Sequence, residues 1–181
     1  MPLSIDFIRP PKPKPNFTPK KKQVPNETYK AAAHLVVTGK KRRFHNVKII
    51  LAHLGGSTPF LAPRVAALSH YMGCPLSPDE IVQDFQTFYY DTALSSHPTT
   101  LAALDTFVPI DRVLFGSDYP GTVPFCLQPE NESIELWTLA VSVATTKWYT
   151  KHLEDHYAGE PRKLDRILRD NALALFPRLR A

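Results

Sequence analysis

VKIILAHLGGSTPFLAPR, residues 47–64, decides how the rest of the chain is read. Val47 to Ala52 is an apolar run broken only by Lys48 and rich in β-branched residues, the pattern of a strand buried on both faces. His53 and the Gly55-Gly56 pair follow at once. Pro59 then opens a helical pattern in which Leu61, Val65, Leu68 and Met72 share one face. A buried strand that ends in a histidine and turns through glycines into a helix is one βα unit. It sets His53 at the carboxyl end of the strand, where α/β proteins place their chemistry. A core histidine bonded to backbone would give the same pattern, and the residues alone leave both readings open.

Working outward, RVLFGSDYP (residues 112–120) is a second short apolar strand, with Gly116, Ser117 and Asp118 at its end. Between the two lies FYYDT (Phe88–Thr92), whose aromatic residues fit a pleated surface. Ser77 or Asp79 caps a helix before it, with Ile81, Val82 and Phe85 on the apolar side. After it, His97-Pro98 open a helix carrying Leu101, Leu104 and Val108. Strand, helix, strand, helix, strand at this spacing argues for parallel βαβ units. The expected strands are Val47–Ala52, Phe88–Asp91 and Val113–Gly116, with His53 and Asp118 at one end of the sheet. Such an open sheet presents two edges.

AHLGGSTPFLAPR and VLFGSDYP, with the strand FYYDTAL (Phe88–Leu94) and the ending DNALALFPRL (Asp170–Leu179), resemble the metal-dependent decarboxylase branch of the amidohydrolase superfamily. Aminocarboxymuconate semialdehyde decarboxylase, γ-resorcylate decarboxylase and the fungal 6-methylsalicylate decarboxylases belong to that branch. The resemblance covers about Pro25 to Leu179. It implies an α/β fold, the C-terminal part of a TIM (β/α)₈ barrel with about three parallel strands and flanking helices.

The resemblance also assigns roles. Asp118 matches the aspartate that binds the divalent metal after the last strand, and a carboxylate oxygen is a normal Zn²⁺ ligand. Its other reading is an aspartate capping the next turn. His53 matches a histidine beside the metal that acts as general acid/base, a role suited to a group titrating near neutrality. Arg64, eleven residues on, matches an arginine that reaches into the neighbouring subunit to hold a substrate carboxylate. It reads equally as a surface arginine at a helix start. The implied activity is non-oxidative decarboxylation of an aromatic or enoic acid, of the 6-methylsalicylate type. The implied partners are a small carboxylic acid and a second copy of the chain. The implied cofactor is Zn²⁺ or another divalent metal such as Mn²⁺.

The departures are equally specific. The family's metal site also uses a His-x-His pair after the first strand and a histidine after the fifth. No His-x-His occurs here; His34, His45, His70, His97, His152 and His156 all fall in helices or connections. A metal is therefore expected to be weakly held. The chain has 181 residues, against about 250 for a (β/α)₈ barrel. Two rival readings follow: a non-catalytic remnant or half-barrel that associates with a full-length relative, and a metal-dependent hydrolase of the same superfamily.

Charge is uneven. Residues 1–46 hold eleven Lys/Arg against Asp6 and Glu27, a net of +9, while the remainder carries a net of −4. The basic balance thus belongs to the head of the chain and gives no uniform nucleic-acid face. Within Met1–Pro25, seven prolines alternate with basic residues, a composition of irregular or polyproline II structure; residues 26–181 are expected to form the barrel-related domain. Asn26 is placed to cap a helix bearing Tyr29, Ala32, Ala33 and Val36, with Gly39 as its stop. Lys40–Arg43 reads as a solvated connection. Gly121–Ser133 reads as a loop, followed by a long helix with Ile134, Trp137, Val141, Ala144 and Trp148 on one face. A last helix carries Leu164, Ile167, Leu168 and Leu175. Cys74 and Cys126 form no CxxC frame and are expected as reduced thiols. With no apolar leader and no run long enough to span a bilayer, a cytoplasmic protein without membrane partners is expected.

Overall fold

The computed structural model describes residues 24–119 and 132–180, without the side chains of 132–141. Three short strands form one parallel sheet in chain order: β1 (Ile50–Leu51), β2 (Tyr89–Asp91) and β3 (Val113–Leu114). Ile50 pairs with Tyr89, Leu51 with Tyr90, Tyr90 with Val113 and Asp91 with Leu114. The crossover from β1 to β2 runs through α3 (Thr58–Tyr71) and α4 (Pro78–Gln86), and that from β2 to β3 through α5 (Pro98–Phe107). Parallel neighbours require such crossovers, so the alternation seen in the sequence and the sheet order are one fact.

The strands are shorter than expected, and β1 is not buried on both faces. Ile50 remains 40 % exposed and Val47, ahead of the strand, 52 %; among the described residues β1 lies at an edge with β2 as its one strand neighbour. The opposite edge differs from expectation too, since helix covers it. Residues 161–175 run as α7 (Pro161–Asp165), a π turn (Arg166–Asp170) and α8 (Asn171–Leu175). The Ile167 carbonyl in the π turn accepts from the Phe115 N–H at 3.0 Å. The Asn171 side-chain amide donates to the carbonyls of Ile110 and Val113 at 2.7 and 2.8 Å. The wide turn also breaks the expected apolar face: Ile167 is buried and Leu168 is not.

The core lies where α1 (Val24–Val37), α4 and α5 close over the sheet, around Val36, Phe85, Phe88, Tyr90 and Leu104. Local chemistry explains the helix starts. Ser77 and Glu80 form a reciprocal capping box at α4. His97 caps α5. The chain is already helical at Val24, the first described residue, so Asn26 lies inside α1 and accepts from the Ser57 hydroxyl instead of capping. Gly39 ends the helix in the left-handed region, as expected.

Three faces were assigned differently from sequence. In α3 the buried stripe is Thr58, Ala62 and Ala66, whereas Leu68 and Met72 are exposed; small residues let this helix approach its neighbours closely. Lys40–Arg43 is a helical turn, α2, not a solvated connection. Its Arg42 pairs with Asp84 at 2.7 Å and Glu80 at 2.9 Å, and its Lys41 is buried over the Phe88 ring. In α6 (Glu132–His156) the inward positions include Ser142 and Leu153, and Trp148 faces outward. Glu132 and Ser133, expected in a loop, are helical; the rest of that loop and residues 1–23 lie outside the described residues, as does Cys126. Cys74 is a free thiol. Among the described residues no helix is long and apolar enough to cross a membrane.

Burial raises the pKa of Tyr90, and burial together with the hydrogen bond to Asp105 raises that of Tyr157. The unfolded chain releases these protons near pH 10, while the folded chain retains them. The stability they contribute is complete below pH 10 and is lost as pH rises above it, by about 1.4 kcal/mol per pH unit for each tyrosine. Urea titrations between pH 9 and 11 are expected to show this decline, and Tyr90→Phe to flatten it.

Candidate active site

Parallel pairing sends all three strands out of the sheet in one direction, so the residues after β1, β2 and β3 gather at a single end. Each exit carries a non-glycine residue in the left-handed region: His53 at φ 59° and Leu54 at 52°, Leu94 at 50°, and Asp118 at 54°. Such backbone is unfavourable for residues with a Cβ and persists only where surrounding contacts over-determine it.

For His53 the contacts are present. Asp91, last residue of β2, accepts through one carboxylate oxygen from the backbone N–H of both His53 and Ala93, each at 3.0 Å. The Ala93 carbonyl lies 2.9 Å from Nδ1 of His53. A carbonyl only accepts, so Nδ1 bears a proton and donates it here, and Nε2 is left outside this hydrogen bond. Thr92, also buried, reaches the other way: its hydroxyl accepts from the Gly116 N–H at 3.0 Å and donates to the Gly116 carbonyl at 3.1 Å. The end of β2 thus ties the exit of β1 to the exit of β3, two residues before Asp118.

His53 lines an open cavity of about 260 Å³ together with Leu54, Ser57, Phe60, Ser95 and Thr100. Its walls mix apolar surface with three hydroxyls. Asp118 is exposed beyond β3. Arg64 is exposed on α3, flanked by the buried Ala62 and Ala66, and the chain does not draw it into the His53–Asp91 hydrogen-bond set. Among the described residues no three His, Cys, Asp or Glu side chains come together as a metal site. Asp91, Phe60 and Ser95 were not singled out from sequence. Asp91 stood only as the end of a strand, because a hydrogen bond across 38 residues leaves no local pattern.

Comparison with known proteins gives this arrangement its context. A 6-methylsalicylic acid decarboxylase from Penicillium expansum is 44 % identical over 99 residues, covering 54 % of this chain and 31 % of that protein. Another from Aspergillus aculeatus is 33 % identical over 162 residues, covering 86 % of this chain and 43 % of its own length. The chain therefore spans less than half the length of these curated relatives. Among solved structures, a dihydroxybenzoic acid decarboxylase from Polaromonas, with bound manganese and 2-nitroresorcinol, superposes with a TM-score of 0.62 at 22 % identity, over 92 % of this chain and 48 % of the other. A 2,6-dihydroxybenzoate decarboxylase complexed with 2,6-dihydroxybenzoate gives 0.60 at 19 %, over 90 % and 48 %. At such identities the superpositions establish the fold: three strands and their helices from a TIM barrel. Residues 23–178 match the amidohydrolase family, and with most of its length inside that match the chain belongs to it.

Proposed function

We propose that this chain supplies part of the site of a metal-dependent, non-oxidative decarboxylase (a carboxy-lyase) acting on a small aromatic or enoic acid of the 6-methylsalicylate type. The observation that carries the reading is the tethering of His53 to the β2 exit, at the same sheet end as Asp118, in a chain 44 % identical over 99 residues to a 6-methylsalicylic acid decarboxylase.

In this reading the His53 imidazolium, which keeps Nδ1–H on the Ala93 carbonyl, delivers the proton on Nε2 to the ring carbon that carries the carboxylate. The carbon–carbon bond then breaks, its electron pair restores the ring, and CO₂ leaves; water reprotonates His53. Arg64 from a second copy of the chain holds the carboxylate, a match for a guanidinium fork. The 260 Å³ cavity is of a size for one substituted aromatic ring, since a cavity of about 150 Å³ takes benzene. Asp118 is the carboxylate offered to a divalent ion, Zn²⁺ or Mn²⁺. A tight zinc site takes at least three protein donors, and the described donors do not fit one by themselves. The working place of such a protein is the cytoplasm, with no nucleic-acid or membrane partner.

The donor set favours a second reading as well: a non-catalytic chain that associates with a full-length relative. Two measurements on the purified 181-residue chain separate the possibilities. Adding 6-methylsalicylate is expected to shift the His53 ring resonances while CO₂ release, with Zn²⁺ or Mn²⁺ supplied, stays negligible. No shift at saturating ligand contradicts the decarboxylase reading. Turnover that is lost on Asp118→Ala contradicts the account of which donors make up the site.

A further inference from the structure

We infer that Asp91 is the positioning residue of this site, holding His53 as the Nδ1–H tautomer with Nε2 free to carry the proton; this rests on the role proposed for His53. The hydrogen bonds close a loop. One Asp91 oxygen accepts from the N–H of His53 and of Ala93, and the Ala93 carbonyl accepts from Nδ1–H of His53. Main chain and ring of the histidine are therefore both referred to a single carboxylate on the neighbouring strand.

Two further features point to the same residue. His53 and Leu54 are consecutive left-handed non-glycine residues, a conformation that needs an outside partner to hold it, and the Asp91 carboxylate is the partner of the His53 N–H. Gly116 leaves room on the other side. A Cβ there would lie 3.2 Å from Asp91 Cβ and 3.4 Å from its Cγ, so the Asp91 side chain is wedged between the exits of β1 and β3. Asp91 acts on proton transfer through His53, without touching a substrate. Its chemistry calls for an acceptor of this length and does not call for a charge, so asparagine is an adequate replacement and alanine is not.

Long-range ¹⁵N–¹H correlation spectra of the full chain test this, with the His53 signals identified by their absence in His53→Gln. The wild-type protein is expected to show a single Nδ1–H tautomer at His53, and Asp91→Asn to retain it. In Asp91→Ala the two ring nitrogens are expected to average between tautomers, and exchange of the His53 amide to quicken by about tenfold or more, as for one lost hydrogen bond. If Asp91→Ala does not fold, Asp91→Ser makes the same comparison, being too short to bridge both amides. A wild-type Nε2–H tautomer overturns the inference without any variant. So does Asp91→Ala, or Asp91→Ser in its place, with an unaltered tautomer and a slow amide. Because neither readout involves turnover, a collapsed tautomer with unchanged CO₂ release in an active form would support the positioning role and remove His53 from catalysis.

Discussion

Gly56→Ala is expected to destabilise the fold by about 3 kcal/mol or more, read as a lower urea midpoint. Gly56 closes the turn from β1 into α3 at φ 59°, ψ −118°, a combination that L side chains rarely adopt. An added Cβ would also fall well inside contact distance of the Pro25 carbonyl in the first turn of α1. That neighbour is backbone, so it yields only if α1 moves, and α1 carries the buried Ala32 and Val36. Gly73→Ala is the control: its φ is 88°, but nothing lies within 4 Å of the new Cβ. It is expected to cost about 1 kcal/mol, the penalty of left-handed backbone alone. A Gly56→Ala protein no less stable than Gly73→Ala would mean that α1 does not pack against the His53 turn as described.

The same turn shows how much of the molecule could be read from the sequence. Patterns confined to neighbouring residues were legible. The apolar runs at Val47, Phe88 and Val113 point to three parallel, adjacent strands, the cap expected at Ser77 or Asp79 is Ser77, and Gly39 is the expected stop. Interactions that join distant residues were not. Arg42 belongs to a basic run that reads as solvated until Asp84 and Glu80 are brought to it. The pattern points to the largest apolar residues as the inward face of α3, while close packing selects Thr58, Ala62 and Ala66. The π turn that frees the Ile167 carbonyl has no sequence period of its own, and so the covered edge of β3 was unforeseen.

The candidate site divides along the same line. His53 and Asp118 could be named because each ends a readable strand. The left-handed backbone they share, and the Asp91–Thr92 tie between them, appear only once β1, β2 and β3 lie side by side. Family resemblance supplied roles for His53, Asp118 and Arg64. It says nothing of why the imidazole presents Nε2, which follows from the Ala93 carbonyl.

As proposed, these strand ends form a working portion of a decarboxylase site whose further donors lie elsewhere in the barrel. The most direct measurement is CO₂ release from 6-methylsalicylate by a graft, in which residues 23–178 replace the matching portion of the Aspergillus aculeatus decarboxylase. A metal-dependent, active graft is expected. His53→Ala should lower its turnover by about 10²–10⁴-fold, the usual worth of a general acid/base, and Asp118→Ala should abolish metal-dependent turnover. A mixture of His53→Ala and Arg64→Ala grafts should regain activity if the arginine serves the neighbouring subunit. A graft that folds and binds metal yet releases no CO₂, or one whose turnover survives His53→Ala, would mean that these strand ends are not part of a decarboxylase site.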